Sequence, residues 1–218
     1  MKYDDLTEIC NKINSCPSRK NDTIDCGRDI TAIPKTVEIR KNQKILLITR
    51  DPSNQANKLS SVTNFENSFF SSKILPILFE DYNLKNAKKD RDFFNIYREK
   101  FLDIFYWTHY QKCFPGISGT GGHKQPKNKC AKTYLNMEII ASEPEYIIAM
   151  GSHAIEFVTE KKLLDSIKMN GNLFFFHAGR NIPVISITHP SNANGSKSNP
   201  SYKFEETIRL IQDIVKKY

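Results

Sequence analysis

The sequence predicts an α/β fold with three layers (α/β/α), in which helices cover both faces of a central, mainly parallel sheet of about four strands. Two observations support this prediction. The apolar runs at 44–49 and 146–150 are of strand length and lack polar alternation, as expected of strands buried on both faces. Segments with apolar residues at helical spacing lie between such runs, and this alternation indicates parallel strands joined by crossover helices.

The other elements follow from the same two periodicities along the chain. Further strands are predicted at 105–111, 173–177 and 183–188. Helices are predicted from Tyr3 to Ile13, at 69–79, 93–105, 127–142 and 153–159, and from Phe204 to Val215. We expect the hydroxyl of Ser152 to cap the helix that follows it, since serine is a preferred N-cap residue.

Composition places the chain among ordinary globular proteins, with 39% hydrophobic and 26% charged residues. We expect one domain over 1–218, with a cysteine-bearing N-terminal segment at 1–43 and an α/β core at 44–218. No apolar run approaches the ~20 residues that cross a bilayer, and MKYDDLTEIC is unlike a signal peptide. We therefore expect an intracellular monomer (cytoplasmic, or in the nucleoid or nucleus) without a membrane partner.

The net charge of +8 is unevenly distributed. Stretches 104–137 and 166–204 contain lysine and arginine but no acid, and they account for the whole excess of positive charge. Such segregation is typical of a surface that binds a polyanion such as DNA, because neutralised phosphates release counterions. The alternative is that these exposed lysines only keep the protein in solution.

Polar or flexible residues lie at the carboxyl ends of four predicted strands: Asp51, Gly151 and His189 follow three of them, and His109 lies near the end of the fourth. In open parallel sheets, ligands bind in the crevice beyond the carboxyl ends of the strands. Two basic loops, at 113–130 and 191–200, leave the sheet at the same ends of the strands. The sequence therefore predicts a functional site at this rim, beside a cationic surface.

Four segments, in this order, resemble the motifs of the uracil-DNA glycosylase superfamily. They are LITRDP at 47–52, YWTHYQKC at 106–113, EPEYIIAMGSHA at 143–154 and ITHPS at 187–191. The resemblance extends from about residue 45 to the end of the chain. It is nearest to the iron–sulfur branch, although that branch has an apolar residue where this chain has Asp51, as in the uracil-specific branch.

The resemblance implies hydrolysis of an N-glycosidic bond in DNA. Asp51 would orient water and stabilise the sugar cation, and His189 would stabilise the departing base. The target base must leave the stack, and the family stacks it on an aromatic ring at the position of Phe69 or Phe70. The helical spacing of these two rings indicates that at least one belongs to the core.

The remaining pocket residues depart from the family pattern. His109 replaces the base-reading asparagine, and Arg50 is a further candidate for base binding. Ser53 and Asn54 replace the tyrosine and histidine of the uracil-specific branch, so the excised base is either uracil or another deaminated base. Candidate DNA contacts at the rim are Ser53, Asn54, Lys124, Gly151, Ser152, Ser191, Asn192 and Lys197. We interpret His123, in a glycine-rich loop, as a solvated residue.

The resemblance also implies a [4Fe–4S] cluster, which requires four thiolates. Cys113 and Cys130 match the middle pair of the iron–sulfur branch, and Cys16-Pro17 matches half of the N-terminal pair. The fourth ligand is Cys26 or Cys10. We favour Cys26, because Cys10 falls on the apolar face of a predicted helix. Buried free cysteines are the alternative.

Two classes of function remain. One is a DNA glycosylase of base excision repair, and the other is a non-catalytic nucleic-acid-binding protein of the same fold. The presence of both Asp51 and His189 favours the enzyme.

Overall fold

One sheet organises the computed structural model, which describes residues 2–16, 26–190 and 199–218. Its strands are β1 (Ile45–Thr49), β2 (Phe105–His109), β3 (Tyr146–Met150), β4 (Phe174–His177) and β5 (Arg180–Ile187). They lie in the order β2-β1-β3-β5-β4. Strands β2, β1, β3 and β5 pair in parallel, and β4 pairs antiparallel with β5 at the edge of the sheet. The predicted mainly parallel sheet is confirmed, with the antiparallel edge strand as a fifth member.

Helices connect and cover these strands. They are α1 (Tyr3–Asn14), α2 (Asn54–Lys58), α3 (Leu75–Leu78), α4 (Leu84–Lys89), α5 (Arg91–Ile104), α6 (Asn136–Ser142), α7 (Ser152–Thr159), α8 (Leu163–Lys168) and α9 (Phe204–Val215). The π-helical turns Phe70–Ile74 and Ala131–Leu135 lead into α3 and α6, and the 3₁₀ turn Pro200–Tyr202 precedes α9. In the part of the chain that the structure describes, no helix has the length and apolar character to cross a membrane.

Neighbouring residues of β1 belong to two different hydrophobic clusters. Leu47 packs in a cluster with Phe101 of α5 and Ile211 of α9. Leu46 packs in another cluster with Leu6 of α1. Because successive side chains of a strand point to opposite faces, helices cover both faces of the sheet. The predicted three-layer architecture is confirmed.

The carboxyl ends of the four parallel strands form one rim. β1 lies in the interior, with β2 on one side and β3 on the other, so the chain crosses over in opposite directions from it. Main-chain pairing continues just past the strands, since Tyr110 N donates to Thr49 O (2.8 Å) and Gly151 N donates to Ile187 O (2.9 Å). The crevice of an open α/β sheet lies at such a reversal of strand order, and here it is next to the end of β1.

The predicted cap of α7 is wrong. Gly151 occupies the N-cap position, with a φ of 86° that favours glycine, and Ser152 is already the first helical residue. The Ser152 hydroxyl makes no capping hydrogen bond and lies 3.4 Å from His153 Nδ1. The six-residue helices α4 and α8 were not predicted, because fewer than two turns display little periodicity.

Candidate active site

Asp51 lies directly beyond β1, with a side chain only 2% exposed. Its Oδ2 accepts a hydrogen bond from Arg50 Nε, and its Oδ1 is bonded to His123 Nδ1. Burying a carboxylate is costly unless hydrogen bonds or opposite charge compensate for lost water. These two partners provide that compensation, so Arg50 is a partner of Asp51 in this structure.

A short hairpin carries His123 to Asp51. Ile117 and His123 pair as an isolated antiparallel bridge, and Ser118 N donates to Gly122 O (2.7 Å) across the turn. The Phe114 ring packs nearly perpendicular to the imidazole, with centroids 5.0 Å apart. The interpretation of His123 as a solvated loop residue is therefore wrong, because the turn holds its ring against a buried carboxylate.

His189 follows β5 and stacks on Phe69, with ring centroids 4.9 Å apart and planes 11° apart. Burial, aided by the charge of Arg50, lowers the pKa of His189 to about 4. The imidazole is therefore neutral near pH 7. A Cβ at Gly151 would lie 3.7 Å from His189 Cβ, so the end of β3 passes close beside it.

His109 is 1% exposed at the end of β2, and its Nδ1 lies 2.7 Å from Thr49 Oγ1. Trp107 Nε1 donates to the same Thr49 oxygen (3.0 Å), which leaves the threonine hydrogen available to His109 Nδ1. In the tautomer that this arrangement favours, His109 Nε2 carries the proton, and Nε2 has no hydrogen-bond partner among the described residues. Burial, followed by the charge of Lys112, lowers the pKa of His109 to about 3.

A buried carboxylate, a neutral stacked imidazole and an unpaired N–H donor thus lie at the ends of parallel strands. The family model of the Uracil DNA glycosylase superfamily matches residues 36–212, which include all of these residues. The chain belongs to the uracil-DNA glycosylase superfamily. No curated protein matches it. Membership in this superfamily supports DNA glycosylase activity in general and DNA as the partner.

The structure separates the two phenylalanines that the superfamily resemblance suggested for base stacking. Phe70 is fully buried and stacks on Trp107, with Phe101 packed edge-on against it. Phe70 is therefore a core residue, and its proposed contact with the base is wrong. Phe69 is half-buried at the rim, where one face of its ring contacts His189.

The residues expected to contact DNA differ in how accessible they are in this superfamily member. Asn54 and Lys124 are exposed, and Gly151 and Ser152 are half-buried at the rim. Ser53 caps α2 by accepting a hydrogen bond from Ala56 N, and it donates to Asn67, so its hydroxyl has a structural function. Three further candidates lie outside the described residues: Ser191, Asn192 and Lys197.

Together with Lys112, four cysteines line one cavity: Cys16, Cys26, Cys113 and Cys130. Main-chain hydrogen bonds close this region, since Lys35 N donates to Lys112 O and Asp29 N donates to Phe114 O, both at 2.9 Å. Burial and the neighbouring thiols raise the pKa of Cys113 to about 12. Thiolates in this cavity therefore require a positive charge, which iron would supply.

Cys10 lies apart from this cavity, on α1, and its Sγ is 3.3 Å from the hydroxyl of Tyr106. Among the residues with assigned positions, no three Cys, His, Asp or Glu side chains are arranged around a single metal ion. Holding one ion requires ligand atoms about 2–2.3 Å from a common point, whereas a multi-iron cluster is held by more widely spaced thiolates. The arrangement around the cavity fits the donor set of a cluster.

Proposed function

We propose that this chain is a DNA glycosylase that hydrolyses the N-glycosidic bond of uracil or another deaminated base. The observation that carries the proposal is the pairing of a buried carboxylate with a neutral imidazole at the carboxyl ends of β1 and β5. Asp51 and His189 lie at the same rim of the sheet, on either side of the end of β3. Both residues closely follow strands that pair in parallel with β3.

The two groups match the charges that develop during hydrolysis. Positive charge builds on the sugar as the base departs, and the Asp51 carboxylate stabilises it electrostatically. Negative charge builds on the departing base, and a hydrogen bond from neutral His189 stabilises it there. Burial strengthens both interactions, because water no longer screens them. Phe69 holds the plane of the His189 ring.

His109 supports selection of deaminated bases as a class. Its unpaired Nε2–H is a donor, while its Nδ1 is occupied by Thr49. Deamination replaces an exocyclic amino group, a donor, with a carbonyl, an acceptor. A fixed N–H donor at this position would bind uracil or hypoxanthine and leave cytosine or adenine with two opposed donors.

We also propose that Cys16, Cys26, Cys113 and Cys130 hold a [4Fe–4S] cluster, as in the iron–sulfur branch. The four side chains line one cavity, and Cys10 is engaged elsewhere. When bound, the cluster would crosslink the N-terminal segment to the segment that follows β2. Its contribution would be structural.

Release of free base from oligonucleotides tests the glycosylase. Single- and double-stranded DNA containing uracil, hypoxanthine or only normal bases would be incubated with the wild type and with Asp51→Asn. We expect release from at least one deaminated base, a loss of about 10²-fold or more in the variant, and unchanged DNA binding. DNA binding without release from any substrate would contradict the enzyme and identify a non-catalytic binding protein.

Iron and sulfide content, together with visible absorption, tests the cluster. Cys26→Ala should lose iron and colour, whereas Cys10→Ala, the matched control, should retain both. Colour that survives Cys26→Ala but disappears in Cys10→Ala would reverse the choice of the fourth ligand. A wild type without iron after anaerobic purification would contradict the cluster.

A further inference from the structure

The contact between Asp51 and His123 joins residues that are 72 positions apart in the chain. Both oxygens of the carboxylate are already engaged, Oδ1 by His123 Nδ1 and Oδ2 by Arg50 Nε. The Asp51 side chain is only 2% exposed, so water reaches it poorly. The imidazole bound to it has a second ring nitrogen that can accept a proton.

The ring of His123 is held with Nε2 available. Its Nδ1 is bound to Asp51, and Nε2 has no hydrogen-bond partner among the described residues. The side chain is 24% exposed, in contrast to 2% for Asp51, so the imidazole reaches solvent where the carboxylate does not. The hairpin and the ring of Phe114 hold its orientation.

We propose that His123 is the general base of the reaction and that Asp51 acts through it. This inference rests on the proposed glycosylase function. Asp51 holds the imidazole with Nδ1 protonated and Nε2 free, and it stabilises the imidazolium that forms. A carboxylate that orients a histidine in this way is the arrangement found in catalytic triads.

The step balances as a hydrolysis by water. The water oxygen forms a bond to C1′ of the deoxyribose, and the C1′–N bond to the base breaks. Its electron pair leaves with the base, where the hydrogen bond from His189 stabilises it. The proton of the attacking water passes to His123 Nε2.

The other histidines at the rim are less suited to this role. His109 is fully enclosed, and its Nδ1 is engaged by Thr49. His189 stacks on Phe69, and burial with a cationic neighbour makes its imidazole a poor proton acceptor. His153 packs against the ring of Tyr110. Of these four, only His123 is hydrogen-bonded to the carboxylate.

A conservative variant distinguishes the proposed general-base role of His123 from a purely structural role of its contact with Asp51. In His123→Asn the amide nitrogen replaces Nδ1 and can still donate to Asp51, but no atom replaces Nε2. In His123→Ala the contact and the base are both absent, and added imidazole can supply a base in solution. Both would be compared with the wild type in single-turnover base release and in DNA binding.

We expect His123→Asn to retain DNA affinity and to lower the single-turnover rate by about 10²- to 10⁴-fold. Imidazole should restore part of the rate of His123→Ala and none of the rate of Asp51→Asn. The double variant Asp51→Asn/His123→Asn should be no slower than the worse single variant, because residues that act as a unit are not additive.

Two outcomes would overturn the inference while leaving the glycosylase intact. One is a His123→Asn rate equal to that of an active wild type. The other is a protein–DNA adduct that survives denaturation and is absent in His123→Asn, since Nε2 would then have attacked C1′ itself. If the wild type releases no base at all, the proposed function and this inference fail together.

Discussion

Phe69 stacks face to face on His189, with ring centroids 4.9 Å apart and planes 11° apart. This contact covers one face of the imidazole and contributes to the burial that lowers its pKa to about 4. The neutral state of His189, on which its role as a donor depends, is therefore maintained in part by a residue 120 positions earlier in the chain.

Replacing Phe69 with leucine should raise the pKa of His189 toward its ordinary value of about 6.5, because water would reach the ring. Phe65→Leu is the matched control, since Phe65 is also half-buried but packs against Phe94. Titration of the imidazole signals by NMR measures both. An unchanged His189 pKa in Phe69→Leu would show that the stack does not control the burial.

Stability should fall as the pH drops below about 6.5. The pKa values of His109 (about 3) and His189 (about 4) lie below those of the unfolded chain, so the unfolded state binds more protons in this range. Each group then contributes a slope of up to about 1.4 kcal/mol per pH unit. Urea unfolding at several pH values between 7 and 5 measures the slope, which His109→Asn should reduce. If the free energy of unfolding of His109→Asn changed with pH as steeply as that of the wild type, the assignment to His109 would be contradicted.

His109→Asn should also change the choice of base. Asparagine offers both a donor and an acceptor, whereas His109 offers a donor alone once Thr49 occupies its Nδ1. We expect the variant to release uracil and hypoxanthine faster, relative to cytosine and adenine, than the wild type does, because the amide matches the adjacent carbonyl and N–H that both deaminated bases present. Base-release rates on matched oligonucleotides measure this ratio. A ratio equal to that of the wild type would place His109 outside base recognition.

Lys112→Met should destabilise the protein by about 3–5 kcal/mol, because it leaves Glu138 buried without its cation. The side chains of Lys112 and Glu138 are 2% and 1% exposed, and Lys112 Nζ also donates to His109 O (2.6 Å). The double variant Lys112→Met/Glu138→Gln should recover part of this loss in urea unfolding. Lys12→Met, which breaks the exposed pair with Glu8, is the control and should have little effect. Equal free energies of unfolding for Lys112→Met and Lys12→Met would contradict the prediction.

Lys124→Gln should weaken DNA binding and reduce the slope of log K against log salt by about 0.9 for a duplex. Lys124 is exposed in the hairpin that carries His123. Lys41→Gln is the matched control, because Lys41 is exposed near the opposite, amino-terminal edge of the sheet. Binding titrations at several salt concentrations measure both slopes. Equal slopes in the two variants would place the DNA away from this hairpin.

Local pattern was sufficient to predict the sheet and the rim of the site. The apolar runs of β1 and β3 predicted buried strands, and the residues that follow them were predicted to converge because parallel strands end at one edge. Asp51, His109, Gly151 and His189 required no knowledge of side-chain packing beyond this rule. The separation of Phe69 from Phe70 did require it, because adjacent residues on a helix differ only in the face that the core covers.

The sequence by itself determined the α/β architecture, the rim and the residue types available there, since periodicity and burial are properties of short segments. Tertiary structure alone decided which of those side chains meet: Asp51 with His123, Phe69 with His189, and Thr49 with His109. All three contacts join residues 60 or more positions apart in the chain. Such contacts depend on how a hairpin and a helix pack over the sheet, and no local periodicity encodes that geometry.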